Sequence, residues 1–141
     1  MSYVLDASIA MCWLLKDGTQ RGIKYAFEVL DANKTAKAIV PSIWGLEVAN
    51  VIAKIEAKNL LTEAQTQDFL VTLQRMDIVV DQSTAHYAFS ETLGLARRYK
   101  LSAYDAAYLE LALREGLPLA TLDDALEKAA KKAGVSRFAA K

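Results

Sequence analysis

Two residue types that often carry chemistry are almost absent from this chain of 141 residues. It has one cysteine, Cys12, and one histidine, His86, far apart in sequence. A single cysteine cannot form an internal disulfide, so we expect Cys12 to be a small buried residue in a reducing cytoplasm. A zinc site would have too few ligands, and a metal-free ribonuclease with paired histidines would lack its second proton-transfer group. We expect His86 to be a surface or half-buried helix residue.

Long apolar runs and an excess of one charge are missing as well. The longest purely apolar stretches are a few residues, whereas a membrane-spanning helix needs about 20, and no signal peptide is visible. Seventeen basic residues balance seventeen acidic ones, so net charge gives no general attraction for nucleic acid. With 53% hydrophobic and 24% charged residues, the composition predicts one folded cytoplasmic domain over residues 1–141, with no membrane contact.

Glycine-rich nucleotide-binding loops and a GxSxG elbow are also absent. What the chain does contain is a series of short apolar segments separated by stretches with helical periodicity. We predict strands at 2–5, 38–40, 77–80 and 118–120, a short last strand at about 135–138, and helices near 7–15, 20–32, 43–58, 63–75, 84–99, 103–114 and 124–133. This alternation predicts an α/β fold with a parallel sheet covered on both faces and joined by right-handed crossovers.

The first predicted strand ends on a carboxylate, in the stretch YVLDAS. Asp6 has two open explanations. Aspartate is a favoured N-cap whose carboxylate accepts a hydrogen bond from the first helical turn. Alternatively, the strand delivers Asp6 to the carboxyl edge of the sheet, where ligands collect in parallel sheets. Asp123, just past the strand LAT, poses the same question, since Thr121 and Asp124 beside it have the spacing of a capping box.

Two further acids interrupt helices that are otherwise apolar on one face. Glu47 lies in SIWGLEVANVIAKI, where an unpaired buried carboxylate is costly, and a salt bridge to Lys54 is its structural explanation. Asp105 lies in LSAYDAAYLELAL, three residues after Ser102, and this spacing resembles a capping box. Each acid taken alone therefore has an explanation without chemistry.

Taken together, the four acids indicate a metal site at one end of the sheet. Carboxylates packed within a few ångströms repel one another and cannot all ionise unless cations lie among them. Oxygen ligands without histidine or thiolate suit Mg²⁺ or Mn²⁺. Such ions support phosphoryl chemistry by activating water and stabilising the phosphate oxygens.

Four segments, in their order and spacing, resemble the PIN-domain ribonucleases, and most of all the VapC toxins of bacterial and archaeal toxin–antitoxin pairs. They are YVLDAS, VPSIWGLEVANVI, LSAYDAAYLELAL and LPLATLDDAL, and the resemblance covers essentially the whole chain. It implies a three-layer α/β/α sandwich with a central parallel sheet. It also implies an endoribonuclease that uses Mg²⁺ or Mn²⁺ to hydrolyse an RNA substrate.

The resemblance also implies residue roles and partners. Carried over by motif, the catalytic and metal-binding acids are Asp6, Glu47, Asp105 and Asp123. Asp123 matches the aspartate of the family's T-x-D pattern, which leaves Asp124 as a neighbour that assists or merely caps. Ser8 and Thr121 match small hydroxyl positions near the metal. A cognate antitoxin that occludes the site, and a homodimer, are implied only by the resemblance.

Residues that would contact RNA directly are few. The segment LARRYK places three cations just before the Asp105 helix, at Arg97, Arg98 and Lys100. In one interpretation these cations bind the phosphates of an RNA backbone. In the other they are solvated charges at the C-terminus of a helix, where the helix dipole favours cations. Three aromatic residues, Trp13, Trp44 and Tyr104, are expected in the core or in an interface rather than as base-stacking platforms.

Two other functions stay open. A PIN-like interaction module without catalysis would use its acids as caps and salt bridges, and would show no metal dependence. A phosphotransfer or receiver domain built around Asp6 needs a phosphoacceptor aspartate after a middle strand and a lysine after a late one. Asp81 after DIVV meets the first requirement, but acids follow LPLAT where lysine is needed.

Overall fold

Four short parallel strands form the centre of the computed structural model, which describes residues 1–139. The strands are β1 (Ser2–Leu5), β2 (Lys37–Val40), β3 (Ile78–Val80) and β4 (Leu119–Ala120), and they lie in the order β3-β2-β1-β4. Val4 pairs with Ile39 on one side and with Leu119 on the other. Because β1 has a neighbour on each side and helices on both faces, its residues from Tyr3 to Leu5 are fully buried.

Eight α-helices connect and follow the strands, in the order that the apolar periodicity predicts. They are α1 (Ala7–Leu15), α2 (Gln20–Ala32), α3 (Trp44–Ala57), α4 (Glu63–Arg75), α5 (Thr84–Tyr87), α6 (Leu93–Tyr99), α7 (Ala103–Glu115) and α8 (Asp124–Lys132). Thr19, Thr62 and Ser102 cap α2, α4 and α7 through their side-chain oxygens. Within residues 1–139, no helix has the length and apolar character needed to cross a membrane.

The helices form two layers around the sheet. Connections between parallel strands are almost always right-handed. Under this rule, α1 to α4 lie on one face as the chain moves from β1 through β2 to β3, and α5 to α7 lie on the opposite face as the chain returns past β1 to β4. In agreement with this, α1 packs against α2 and α3, and α7 packs against α6 and α8. The predicted α/β fold with a central parallel sheet is confirmed.

Buried aromatic side chains tie the layers to the sheet. Tyr3 of β1 stacks on Phe138 with ring centroids 4.1 Å apart. The Tyr25 hydroxyl donates to the Phe138 carbonyl at 2.8 Å, and the Trp13 indole N–H donates to the Ala26 carbonyl at 2.7 Å. Trp13 is therefore a core residue, as expected, and Trp44 and Cys12 are buried as well.

Two elements differ from the sequence prediction. The helix predicted at 84–99 is divided, because a π-helical turn at Ala88–Thr92 separates α5 from α6. Such a turn holds one residue more than an α-helical turn, and apolar spacing does not distinguish the two. The strand predicted at 135–138 is only one parallel bridge, from Leu119 to Arg137. Its buried side chains, Val135 and Phe138, are three residues apart, a spacing that cannot share one face of a regular strand.

Candidate active site

The carboxyl ends of β1 and β4 define a crevice at one edge of the sheet. The Asp6 N–H donates to the Ala120 carbonyl at 3.0 Å, which holds Asp6 beside Thr121. From β1 the chain turns toward β2, while β4 lies on the other side of β1. The strand order therefore reverses at this point, and open α/β sheets bind their ligands in the crevice at such a reversal.

Asp6 is only 5% exposed, yet its carboxylate does not cap α1. Its Oδ2 atom accepts hydrogen bonds from Ser8 Oγ at 2.5 Å and from Thr121 Oγ1 at 2.7 Å. The two hydroxyls are themselves oriented by the backbone, because Leu122 N–H donates to Ser8 Oγ and Asp123 N–H donates to Thr121 Oγ1. The N-cap explanation for Asp6 is wrong, and a fixed hydrogen-bond network replaces it.

Glu47 reaches the same region from the first turns of α3. Its Oε1 atom accepts a hydrogen bond of 2.5 Å from the hydroxyl of Tyr108, a buried residue of α7. Lys54 is exposed, and within residues 1–139 it forms no ion pair with Glu47. The salt-bridge explanation is wrong. The sequence did not single out Tyr108, although its position three residues after Asp105 places it near the same face of α7.

Asp105 and Asp123 lie at the starts of α7 and α8. Ser102 Oγ accepts a hydrogen bond of 3.1 Å from the Asp105 backbone N–H, so this cap leaves the Asp105 carboxylate unused. Asp123 is itself the cap of α8, because its Oδ2 accepts from Leu126 N–H at 2.8 Å. Asp124 is the exposed first residue of α8, so the capping box expected between Thr121 and Asp124 does not form.

Burial and nearby negative charge raise the pKa values of Asp6, Glu47 and Asp105. Burial raises the pKa of Asp6 most, the hydroxyls of Ser8 and Thr121 lower it, and the charges of Glu47 and Asp123 raise it further. Burial, then the charges of Asp6 and Asp123, raise the pKa of Asp105 to about 6. Burial raises the pKa of Glu47, the Tyr108 hydroxyl partly offsets this, and the charge of Asp105 adds to it. Four acids from four separate elements therefore converge on the crevice.

The donor atoms of this crevice are all oxygens. Four carboxylates and the hydroxyls of Ser8 and Thr121 are the ligand types that hard divalent cations such as Mg²⁺ and Mn²⁺ prefer. Cys12 is buried within α1, and His86 is exposed on α5. Over the described range 1–139, no three acidic, histidine or cysteine side chains enclose a common metal position. The donor set fits a divalent cation by its chemical type.

The remaining candidate residues lie outside this network. Arg97, Arg98 and Lys100 are exposed at the end of α6 and in the turn before α7. The Arg98 guanidinium lies 5.5 Å from the centroid of the Tyr99 ring. Tyr104 is 63% exposed, so it is not a core residue.

Asp81, the phosphoacceptor of the receiver interpretation, is held in an ion pair beyond β3. Arg114 binds it through Nη1 at 3.1 Å and Nη2 at 2.8 Å, and binds Glu110 through Nε at 2.8 Å. The hydrogen bonds from Arg114 lower the pKa of Asp81. Since β3 is the far edge strand of the sheet, Asp81 lies away from the Asp6 crevice and has a structural partner. The receiver interpretation has no support.

The sequence was also compared with known families and structures. A family model for the PIN domain matches residues 3–132. The chain belongs to the PIN domain family. No curated protein matched the sequence closely enough to count as a relative.

Solved structures share the fold of this PIN domain at low sequence identity. VapBC2 from Rickettsia felis, whose structure contains a DNA fragment from the promoter, is 18% identical, with a TM-score of 0.68. The match covers 98% of this chain and 98% of that one. PAE2754 from Pyrobaculum aerophilum is 21% identical, with a TM-score of 0.66 over 97% of this chain and 83% of that one. FitAcB from Neisseria gonorrhoeae is 18% identical, with a TM-score of 0.61, and the match covers 99% of this chain and 97% of that one.

The converging charges lead to a stability prediction for this PIN domain. Burial and the neighbouring carboxylates raise the pKa of Asp105 to about 6, above its ordinary value of 3.8, so the ionised carboxylate destabilises the folded state. This cost appears as pH rises through about 4 to 6 and is fully present above that range. We expect Asp105→Asn to be more stable than wild type in EDTA at about pH 7.5, by roughly 1 kcal/mol after allowing for solvent screening.

Urea denaturation at about pH 7.5 and pH 4 measures this difference, which should almost vanish at the lower pH. Asp68→Asn is the matched control, because Asp68 is exposed on α4 and should change stability little at either pH. A less stable Asp105→Asn protein at neutral pH would contradict the electrostatic account.

Proposed function

We propose that this PIN domain is a divalent-metal-dependent endoribonuclease that acts in the cytoplasm as the toxin of a toxin–antitoxin pair. The observation that carries the proposal is the convergence of four carboxylates at the sheet reversal, one of them buried and oriented by two hydroxyls. Structural needs do not explain this arrangement, because it raises the pKa of three acids at once. Perturbed acids in a crevice are typical of functional sites.

Each side chain has a distinct part in the proposal. The residues that would hold Mg²⁺ or Mn²⁺ are Asp6, Glu47, Asp105 and Asp123. Ser8 and Thr121 fix the direction of the Asp6 carboxylate, and Tyr108 does the same for Glu47. Asp124, at the start of α8, lies beside Asp123 and has a supporting part at most.

The bound ion would supply charge neutralisation for the phosphate and a lowered pKa for the attacking water. The protein adds helix N-termini, since α1, α3, α7 and α8 each begin at or near one of the four acids. The positive ends of the helix dipoles favour the phosphate group of a substrate. Water rather than the ribose 2′-hydroxyl attacks, so the products carry 5′-phosphate and 3′-hydroxyl ends.

Exposed cations would position the RNA backbone. Arg97, Arg98 and Lys100 lead directly into α7, whose first turn carries Asp105. Phosphate contacts of this kind position a nucleic acid without reading its sequence. The neutral net charge of the chain is compatible with this proposal because these three cations lie close together in sequence, just before the helix that carries Asp105.

A cognate antitoxin and a homodimer belong to the same proposal. Among the structures that share this fold, VapBC2 from Rickettsia felis was determined bound to DNA, and another is described as a toxin–antitoxin complex from Klebsiella pneumoniae. The chain has an apolar groove of about 450 Å³ lined by residues of α3, α4 and β3, which suits an apolar segment of a partner. Two measurements test these partners. The product of an adjacent small open reading frame should inhibit cleavage if it is the antitoxin, and the native mass should be twice the chain mass if the protein is a homodimer.

Metal dependence is the direct test of the proposed activity. The purified chain is incubated with a labelled single-stranded RNA in Mn²⁺ and, separately, in EDTA. We expect cleavage in Mn²⁺ and none in EDTA, with activity restored when Mn²⁺ is added back in excess, because the carboxylates alone cannot neutralise a phosphate. Equal cleavage in both conditions would exclude a metal nuclease. A folded protein that neither cleaves RNA nor binds Mn²⁺ would favour the interaction module.

A further inference from the structure

One exposed aromatic side chain, directly before an acid of the crevice in sequence, has no packing role in the core. Tyr104 is 63% exposed and is the second residue of α7, directly before Asp105. Within residues 1–139 its ring takes part in no aromatic stack or cation–π contact, and its hydroxyl forms no side-chain hydrogen bond. A tyrosine ring left in water exposes a large apolar area without gaining stability from it.

Helix geometry places Tyr104 on the Glu47 side of the crevice. Tyr104 and Tyr108 are four residues apart on α7, so they lie on one face of the helix, one above the other. Tyr108, the inner of the two, donates its hydroxyl proton to Glu47. Tyr104 therefore lies about one helical turn, roughly 5 Å, closer to the α7 N-terminus. The N-terminal half of α7 reaches the crevice, because Tyr108 bonds Glu47 there and α7 packs against β1 and β4.

The surroundings of Tyr104 match a single-stranded nucleic acid. Arg97, Arg98 and Lys100 are exposed in the segment leading to it and carry the charge that a phosphate backbone needs. Leu46, 75% exposed, precedes Glu47 on α3 and adds a second apolar side chain next to an acid. Exposed aromatic rings beside positive charge are the recurring platform for unpaired bases, because every base has a π-face.

We propose that Tyr104 stacks on an unpaired base next to the scissile phosphate and so helps to position the RNA strand in the crevice. The inference rests on the proposed nuclease function and adds a substrate-positioning residue to it. In a duplex the neighbouring base pairs cover the base faces, so the ring has no face to contact. Tyr104 binds the substrate and takes no part in proton transfer or metal binding.

Cleavage kinetics with matched variants test the stacking. The substrate is a pool of short single-stranded RNAs of randomised sequence, assayed in Mn²⁺. Tyr104→Ala should raise KM about 5- to 100-fold, the range for loss of one stacked base, with kcat changed less than about threefold. Tyr104→Phe and Tyr104→Trp keep a ring and should stay within about threefold of wild type in KM. Phe89→Ala is the control, because Phe89 is 93% exposed in the π-helical turn and belongs to no part of the crevice network.

A binding measurement separates this inference from the nuclease proposal. Fluorescence anisotropy of the same RNA pool in EDTA, with wild type and Tyr104→Ala, reports binding without cleavage. If wild type binds RNA through Tyr104 but never cleaves it, the nuclease proposal fails and the stacking stands. If wild type cleaves RNA and Tyr104→Ala has an unchanged KM, the stacking is overturned, and Tyr104 then belongs to a protein interface. Neither binding nor cleavage of the pool would overturn both.

Discussion

Asp105→Asn is expected to abolish RNA cleavage, with a loss of more than about 10³-fold in kcat/KM, while leaving the fold intact. Replacing the carboxylate by an amide removes one negative oxygen from the crevice, and losing several kcal/mol of transition-state stabilisation has an effect of this size. The fold should survive because the Ser102 cap uses the backbone N–H of residue 105, which asparagine retains. Cleavage in Mn²⁺, together with circular dichroism, measures both parts of the prediction.

The control for this variant is Asp68→Asn, which makes the same carboxylate-to-amide change at an exposed acid on α4. It should cleave at the wild-type rate. Full activity in Asp105→Asn would remove Asp105 from the catalytic set, whereas an unfolded Asp105→Asn protein would show that its carboxylate is structural.

Arg114→Met should give the largest loss of stability, about 3–5 kcal/mol at neutral pH. Arg114 is the only cation bonded to Asp81 and Glu110 within the described part of the chain, and all three side chains are at most 18% exposed. Removing the guanidinium leaves Glu110 without its ion-pair partner and Asp81 with the hydrogen bond from the Ser83 backbone N–H, so the desolvation of two largely buried carboxylates is poorly compensated. Methionine occupies a similar volume, so a cavity contributes little to the loss.

The pH dependence identifies the cause of that loss. In the wild type the lowered pKa of Asp81 contributes stability above about pH 4, and this contribution disappears as pH falls through the folded value. In Arg114→Met the unpaired acids favour protonation, so the deficit relative to wild type should shrink between about pH 7 and pH 4.5. Urea titrations at the two pH values measure it. Lys24→Met, which breaks the exposed pair with Glu28, should cost under about 1 kcal/mol at either pH. A deficit independent of pH would point to packing instead.

Much of the fold was predictable because local sequence dictates it. The strand ending at Asp6 and the strand after Pro118 are short apolar runs between amphipathic segments, and the structure has β1 and β4 there. The π-helical turn at Ala88–Thr92 was not predictable, because an extra residue in one turn leaves the apolar pattern unchanged. The strand expected at 135–138 does not form as a regular strand. Val135 and Phe138 are buried by contacts with parts of the core that are distant in sequence, and local sequence does not reveal such contacts.

The sequence predicted which acids belong to the candidate site but not which hydrogen bonds hold them in place. Glu47 stood out because it interrupts an apolar face, and Asp6 because it ends a strand. Their hydrogen-bond partners depend on residues far apart in the chain: Tyr108 is 61 positions from Glu47, and Thr121 is 115 positions from Asp6. A hydroxyl on a helix or after a strand is compatible with many partners, so only the packed structure selects among them. Of the two places expected for Tyr104, the core was wrong: its apolar ring suggested burial, but the tertiary structure leaves the side chain exposed.

The distribution of the four acids along the chain has a consequence for biosynthesis. Asp6 belongs to the first strand, whereas Asp123 follows the last one, and the two are brought together only by the pairing of β1 with β4. A nascent chain that has not yet emerged past β4 therefore has no assembled crevice. On the proposed toxin function, prematurely terminated products would be inactive, and toxicity would begin only when translation is nearly complete.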